Sequence, residues 1–322
     1  MKKFPLRLMA AAVLLYGCIQ SVWGAQLVVP GGQVVGLQIV DDTVTVAAFD
    51  EELGQSAQDC GLQVGDQIAA INGNVITSAQ QVRDVLAHTD GQAKIDVIRD
   101  NQAKTVYVLP EITENGPRLG VYLKQGITGV GTVTWYDPNT GQFGALGHGV
   151  NDADGHLADM IQGTVYNATV LTVKTGKAGQ PGQLMSAVTG TGQIGSLTKN
   201  TPQGVFGTAR LSADAELLPI GSKDQVHTGK ATIRSTVNDG QIREYSVDII
   251  KVYPHSGPSG RNMLIQVTDP ALLNATGGIV QGMSGSPLLQ DGRIVGAVTH
   301  VLVNDPTMGY AIFIENMLEA AG

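Results

Sequence analysis

Apolar and polar positions alternate in short runs along most of this chain, and the runs end on Gly, Pro, Asn or Asp. Residues 34–39, 44–47, 93–99 and 104–109 carry this period of two. So do 129–136, 143–146, 164–175, 187–190, 204–209, 230–237, 242–252 and 262–267. Such a period turns one face of a strand to a core and the other to water. Asn72-Gly73, at the end of the apolar run from residue 62, is a hairpin signal. Helical spacing is scarcer. Residues 56–61 read as one helical turn closing on Gly61. Ser78 opens an amphipathic helix with Val82, Val85 and Leu86 on one side, and Gln81 fits a capping box. Beyond residue 111, only residues 312–321 read convincingly as a helix. The pattern predicts a mostly β chain.

The first residues follow another rule. Lys2, Lys3 and Arg7 precede an apolar run over residues 8–16. That run suits the core of a signal peptide better than a membrane span of about 20 residues. Val22-Trp23-Gly24 before Ala25 offers a cleavage site, whereas Tyr16 ahead of Cys18 makes a poor lipoprotein box. Residues 1–24 are therefore expected to direct export, either as a removed signal peptide or as an anchor through residues 4–23.

The chain has 322 residues, enough for two domains, with 42 Gly and 13 Pro. Its formal charge is −8 and no Lys/Arg cluster follows the N-terminus, so nucleic acid is not an expected partner. Two cysteines, Cys18 and Cys60, build no disulfide framework, and Cys60 is expected to be a small buried apolar residue.

Residues 25–110 follow the export segment and form a first domain. Its stretch Gly61-Leu62-Gln63-Val64-Gly65-Asp66-Gln67-Ile68-Ala69-Ala70-Ile71-Asn72-Gly73 resembles a PDZ domain of the bacterial, circularly permuted kind. The resemblance implies a peptide bound by strand addition. The expected contact is the loop of residues 33–38, with Val35, Gly36 and Leu37 as candidates. A spacer role is the plain alternative. Residues 111–119 read as a polar connector, and about 200 residues of short strands follow. That second domain, residues 111–322, fits two barrels or a sandwich.

Gly282-Met283-Ser284-Gly285-Ser286-Pro287 is the stretch with the most chemistry. A serine between glycines offers an uncrowded Oγ and free backbone N–H groups, as a nucleophile needs. The N–H groups of Gly282 and Ser284 are candidate oxyanion donors. The hexapeptide alone supports an ordinary Gly/Ser turn equally well. Position 286 is Ser, which excludes the G-x-S-x-G elbow.

His148, in Gly144-Ala145-Leu146-Gly147-His148-Gly149, leads the six histidines as general base. His148 and His156 invite a metal reading, but neither the H-E-x-x-H spacing nor the order of an EF-hand loop is met, and Asp152 and Asp154 read as turn formers. No metal and no cofactor are expected. Asp269 is the candidate third group, to hold the imidazole tautomer. The Asp269-Pro270 pair reads equally as a helix cap.

Taken together, several stretches resemble the SpoIVB peptidase family. They are Leu27-Val28-Val29-Pro30-Gly31-Gly32, the His148 and Thr268-Asp269-Pro270 segments, residues 277–287, and Gly296-Ala297-Val298-Thr299-His300-Val301. The resemblance implies a PDZ domain followed by a trypsin-like double β-barrel peptidase, with Ser284 as nucleophile, His148 as base and Asp269 as third member. In the trypsin-like comparison Thr299 and His300 flank the substrate, though His300 also reads as a structural strand-end residue. That pattern normally draws the acid from the histidine's barrel, whereas Asp269 lies in the serine half. The resemblance further implies an exported enzyme of the forespore intermembrane space. It is expected to cut itself near its N-terminus and then a membrane-bound protein substrate, so releasing an intramembrane protease that activates a mother-cell sigma factor. The PDZ ligand is then the target or the enzyme's own N-terminal segment. A general envelope quality-control protease and a non-catalytic PDZ scaffold are the alternatives.

Overall fold

A computed structural model of the chain describes residues 27–152, 154–211, 216–237, 239–256 and 260–322. The expected export segment, residues 1–24, lies outside the described residues. Among the described residues no helix is long and apolar enough to cross a membrane.

Strands β1 (Leu27–Pro30) and β2 (Val34–Phe49) form one stave broken at Gly31-Gly32. A Cβ on Gly31 would lie 2.1 Å from the Val133 carbonyl oxygen, so the chain can cross there only as glycine. Next come α1 (Gln55–Asp59), β3 (Gln67–Ile71), β4 (Asn74–Val75), α2 (Ala79–Ala87), β5 (Ala93–Arg99) and β6 (Gln102–Val108). A hairpin of β7 (Glu111–Thr113) and β8 (Gly116–Arg118) leads to β9 (Val121–Tyr136). The far half of β2, β3, β5, β6 and the near half of β9 form the PDZ sheet, over a core that includes Val44, Val46, Ile68, Val82, Leu86, Ile95 and Val97. Ser78 caps α2, accepting from the Gln81 N–H at 3.3 Å. The Gln81 side chain returns to the Thr77 N–H at 2.7 Å, one residue before the position a capping box uses. Cys60 is half-buried against this core.

The domain boundary needs correction. Residues 34–39 of β2 pair with residues 132–127 of β9, and residues 44–49 with 125–121. Both strands therefore run through both domains. The peptidase unit comprises residues 27–40 and 127–322, and the PDZ domain, residues 41–126, is inserted in the β2–β9 hairpin. Residues 111–119 are part of the insertion rather than a linker. Sequence alternation hides this because β2 and β9 keep one period on both sides of the junction.

Barrel one closes through β2, β9, β10 (Gln142–Ala145), β13 (Gly204–Ala209), β12 (Gln183–Thr201) and β11 (Gln162–Lys174). Its core holds Val35, Leu37, Ile39, Val133, Phe143, Ala145 and Val165. The short β14 (Leu218–Pro219) pairs with β1 and leads to barrel two. That barrel closes in the order β15 (Gly229–Thr236), β16 (Ile242–Val252), β17 (Met263–Val267), β20 (Asp305–Phe313), β19 (Arg293–Leu302) and β18 (Pro287–Gln290). Helix α3 (Pro270–Thr276) precedes the Ser284 loop, and α4 (Ile314–Ala321) packs Ile314 and Met317 against Trp135 and Phe206 of barrel one. The β1–β2 junction also ties the barrels together: Arg234 donates to the Pro30 carbonyl at 3.1 Å and Thr236 to that of Gly32 at 2.9 Å. Fold and class agree with a double β-barrel peptidase carrying a PDZ domain.

Candidate active site

The Ser284 loop belongs to barrel two but is held by barrel one. The Thr132 N–H donates to the Ser284 carbonyl at 3.0 Å and its hydroxyl to the Gly282 carbonyl at 2.7 Å. Thr134 donates to the Gly285 carbonyl at 2.7 Å. Both threonines are fully buried, so these bonds satisfy carbonyls that water cannot reach. Gly285 has φ +95°, and a Cβ there would lie 2.0 Å from the Thr132 carbonyl oxygen, so the approach of β9 excludes any side chain.

The N–H groups of Gly282 and Ser284 donate to no acceptor among the described residues. Their orientation has a cause. Leu184 of β12 donates its N–H to the Gln281 carbonyl at 2.8 Å, and Gln281 donates to Gly182 at 2.9 Å. A planar trans peptide points C=O and N–H in opposite directions, so fixing the Gln281 carbonyl also fixes the Gly282 N–H. Two free N–H groups beside a serine hydroxyl are what a tetrahedral oxyanion requires.

His148 follows a strained turn. Gly147 donates to Ala145, two residues back, at 2.9 Å, and Leu146 between them has φ +70°. This tight γ-type turn is uncommon for a branched residue, and such strain concentrates at functional sites. The half-buried His148 places Nδ1 2.8 Å from the Gly149 carbonyl. A carbonyl only accepts, so Nδ1 carries the proton and Nε2 keeps a free lone pair. Desolvation lowers the His148 pKa, against the smaller opposing effect of the Gly149 carbonyl, and so favours the neutral base.

His148, Ser284, Gly282, Thr299 and His300 line one cleft of about 360 Å³, with Val130, Leu146 and Ile279 among its apolar walls. A larger cavity of about 730 Å³, beside Lys230, Glu244 and Asp291 on barrel two, contains none of these groups. The Ser284 hydroxyl donates to the Thr299 carbonyl at 3.0 Å and not to His148. Pairing of β18 with β19 stops at Pro287↔Ala297, and Val298 is still bonded to Gly285 and Ser286, so past Val298 the β19 strand has β20 on one edge and the cleft on the other. The His300 ring lies 5.5 Å from that of His148, centre to centre, at an interplanar angle of 39°. Burial, then the charges of His148 and Arg261, push its pKa down to about 4, although the residue keeps an exposed edge.

Two sets of expected residues meet other partners in the structure. Asp269 caps α3: its Oδ1 accepts from Ala271 at 2.9 Å and Leu272 at 3.1 Å, and its Oδ2 accepts from Ser246 at 3.2 Å. Among the described residues no hydrogen bond joins it to His148, whose Nδ1 faces the Gly149 carbonyl. Pro270 starts a helix whose free N–H groups take the carboxylate, as the cap reading expects. Val35, Gly36 and Leu37 pair with β11 on one side and β9 on the other, and Val35 and Leu37 are buried. With both edges filled, no peptide can add there.

The open PDZ edge is on residues 121–125 of β9, which pair only with β2. The N–H groups of Leu119 and Gly120 just before it meet no acceptor among the described residues. Gln125 ties its other end to α2, with Oε1 3.4 Å from the Ala79 N–H. Strand addition with capture of a peptide carboxylate fits this edge. Its signal was Leu119-Gly120-Val121, of which only Leu119 lay in the stretch read as a connector. Thr132, Thr134 and Leu184 were also missed, since buried hydroxyls and a core leucine carry no local signature. Asp152, Asp154 and His156 do gather, with ligand atoms within 4.8 Å, but Asp152 Oδ1 accepts the Asp154 and His156 N–H groups as a turn former would.

Double barrels joined at a serine–histidine cleft define a serine peptidase of the trypsin-like architecture. The family model for SpoIVB peptidase S55 matches residues 115–318, well over half of the chain, and the chain belongs to that family. A PDZ domain model matches residues 52–99. The protein is thus a PDZ-containing serine endopeptidase. Among solved structures, the PDZ domain of an SdrC-like protein from Listeria monocytogenes is similar at 26% identity, covering 26% of this chain and 87% of that one, with a TM-score of 0.23. The active form of the Rv3671c protease from M. tuberculosis is 14% identical over 61% of this chain and 75% of its own, with a TM-score of 0.36. The HtrA-type protease AlgW with a decapeptide is 14% identical over 65% of this chain and 57% of its own, with a TM-score of 0.37. The family match, not these partial likenesses, sets the class. Comparison with curated proteins gives no match.

Proposed function

We propose that Ser284 and His148 form a catalytic dyad whose tautomer is fixed by a backbone carbonyl. The observation that carries this reading is the convergence of two free N–H groups, Ser284 Oγ and the Nε2-free tautomer of His148 in one cleft. An extended substrate adds to the open edge of β19, where its N–H groups compete for the Thr299 carbonyl. Losing that acceptor, Ser284 Oγ turns to His148 Nε2, gives up its proton and attacks the scissile carbonyl. The oxyanion forms against Gly282 and Ser284 N–H, worth about 2.7–4 kcal/mol per donor in related sites. His148 then returns the proton to the leaving amine, and water repeats the sequence on the acyl-enzyme.

The family supports a finer reading: an exported enzyme of sporulation signalling that cuts itself near its N-terminus and then a membrane-bound regulatory protein. The PDZ edge at residues 121–125 would hold the target, or the enzyme's own N-terminal segment. Incubation of the purified full chain beside Ser284→Ala tests this. Self-cleavage confined to the wild type supports it; broad casein degradation points to quality control, and no cleavage of any substrate to a scaffold.

A further inference from the structure

We propose that His148 and His300 form a two-imidazole site for zinc or a similar borderline divalent cation, and that its occupancy blocks the peptidase reversibly. The binding half stands on geometry alone; the blocking half rests on His148 being the base.

Two imidazoles on one tetrahedral zinc, with Zn–N about 2.0–2.1 Å, set their ring centres about 5 Å apart. The observed separation is 5.5 Å, with the rings tilted rather than stacked. His148 keeps Nδ1 on the Gly149 carbonyl and so offers Nε2, held by a protein acceptor on the far nitrogen as metal-bound imidazoles usually are. Neither ring nitrogen of His300 has a hydrogen-bond partner among the described residues, so one can turn to the cation with no bond to break.

The cleft also selects the ion. No carboxylate lines it, so calcium and magnesium lack their oxygen donors, whereas nitrogen ligands suit zinc, copper or nickel. Water completes the shell. Arg261, whose guanidinium sits 5.5 Å from the Tyr310 ring centre, adds positive potential near His300. That charge weakens the site and keeps it exchangeable, as a reversible block needs. With Nε2 on the metal, His148 has no lone pair for the Ser284 proton.

Zinc chloride is titrated calorimetrically into the full chain carrying Ser284→Ala, which removes turnover from the measurement. One zinc per chain is expected, weakened by about tenfold or more in His148→Gln and in His300→Gln, and unchanged in Asp152→Asn. No binding, or binding lost only in Asp152→Asn, overturns the proposal. Should a histidine variant fail to fold, the Ser284→Ala chain loaded with cobalt still decides: intense four-coordinate visible bands support the site and a weak hexaaqua-like spectrum overturns it. In parallel, labelling of wild-type Ser284 by a fluorophosphonate is followed with and without zinc. Suppression reversed by chelator supports the block, and labelling indifferent to bound zinc overturns it. Absence of labelling even without zinc counts against the peptidase reading, while calorimetry still decides the metal site.

Discussion

The hydroxyl of Thr132 donates to the carbonyl of Gly282 across 150 residues of sequence, so barrel one holds the Ser284 loop of barrel two. Thr132→Val keeps the shape and leaves that carbonyl unsatisfied. A buried unpaired acceptor costs about 1–3 kcal/mol. Thermal unfolding should reveal that loss, and kcat should fall more than KM rises, because the loosened loop carries the oxyanion donor. An unchanged kcat would remove Thr132 from any positioning role.

Asp269 separates a dyad from a triad. As a helix cap it stabilises by about 1 kcal/mol, so Asp269→Ala should lower stability by about that amount. Its kcat/KM should stay within a few-fold of wild type. An orienting carboxylate would instead cost about 10⁴ in kcat, as in the serine-protease triad. A loss of that size would restore Asp269 to the mechanism.

The β class and the PDZ stretch were legible in the alternation and in residues 61–73, whereas the strands shared by the two domains were not. Ser284 and His148 stood out because each lies among glycines, and the glycines are required locally by the close packing of Thr132 and the turn at Leu146. Asp269 is ambiguous because a cap and a catalytic carboxylate look alike in one dimension; the Ser246, Ala271 and Leu272 donors show the cap. Val35 to Leu37 misled for another reason. An alternating strand reads the same whether its second edge is open or filled, and here β11 fills it. The pairing of His148 with His300 was invisible, since closure of two barrels, not spacing, brings them together.

The pH profile should report His148. Its pKa is lowered below the ordinary 6.5 by burial, so the base stays unprotonated into mildly acid solution. The acid limb of kcat/KM is therefore expected below pH 6.5, with activity falling as pH drops through it. His300 acts on stability in the same direction. Its pKa falls from 6.5 to about 4 on folding, so between those values the unfolded chain binds more protons. Stability should fall as pH drops across that window, and His300→Gln should flatten the fall in a urea-melt series. A profile with its acid limb above 6.5 would contradict the buried, carbonyl-held base.

Asp66 tests the PDZ core. Its fully buried carboxylate accepts from Arg99 at 2.6 Å and from the Gln63 N–H at 2.8 Å. Removing one partner of a buried pair leaves the other uncompensated, at about 3–5 kcal/mol. Asp66→Ala should melt the PDZ domain first, seen as early hydrogen exchange in β3 and β5 while barrel two stays protected. Simultaneous loss of both would mean that the insertion and the barrels unfold as one unit.

Insertion of the PDZ domain makes a prediction that a tandem arrangement does not. Ile39 pairs with Ile127 and Leu37 with Gly129, so the ends of residues 41–126 leave and re-enter one hairpin. Replacing residues 41–126 by a short turn should leave a folded double barrel, because each of its staves remains. Removing residues 1–110 instead deletes β1 and β2, taking Val35, Leu37 and Ile39 out of the core of barrel one. Each such loss costs about 2–5 kcal/mol in other cores, more in total than a domain's usual stability margin. The excised chain should therefore unfold cooperatively by circular dichroism and keep fluorophosphonate labelling at Ser284, whereas the truncated chain should be insoluble. A soluble, labelled chain beginning at residue 111 would return the boundary to residue 110.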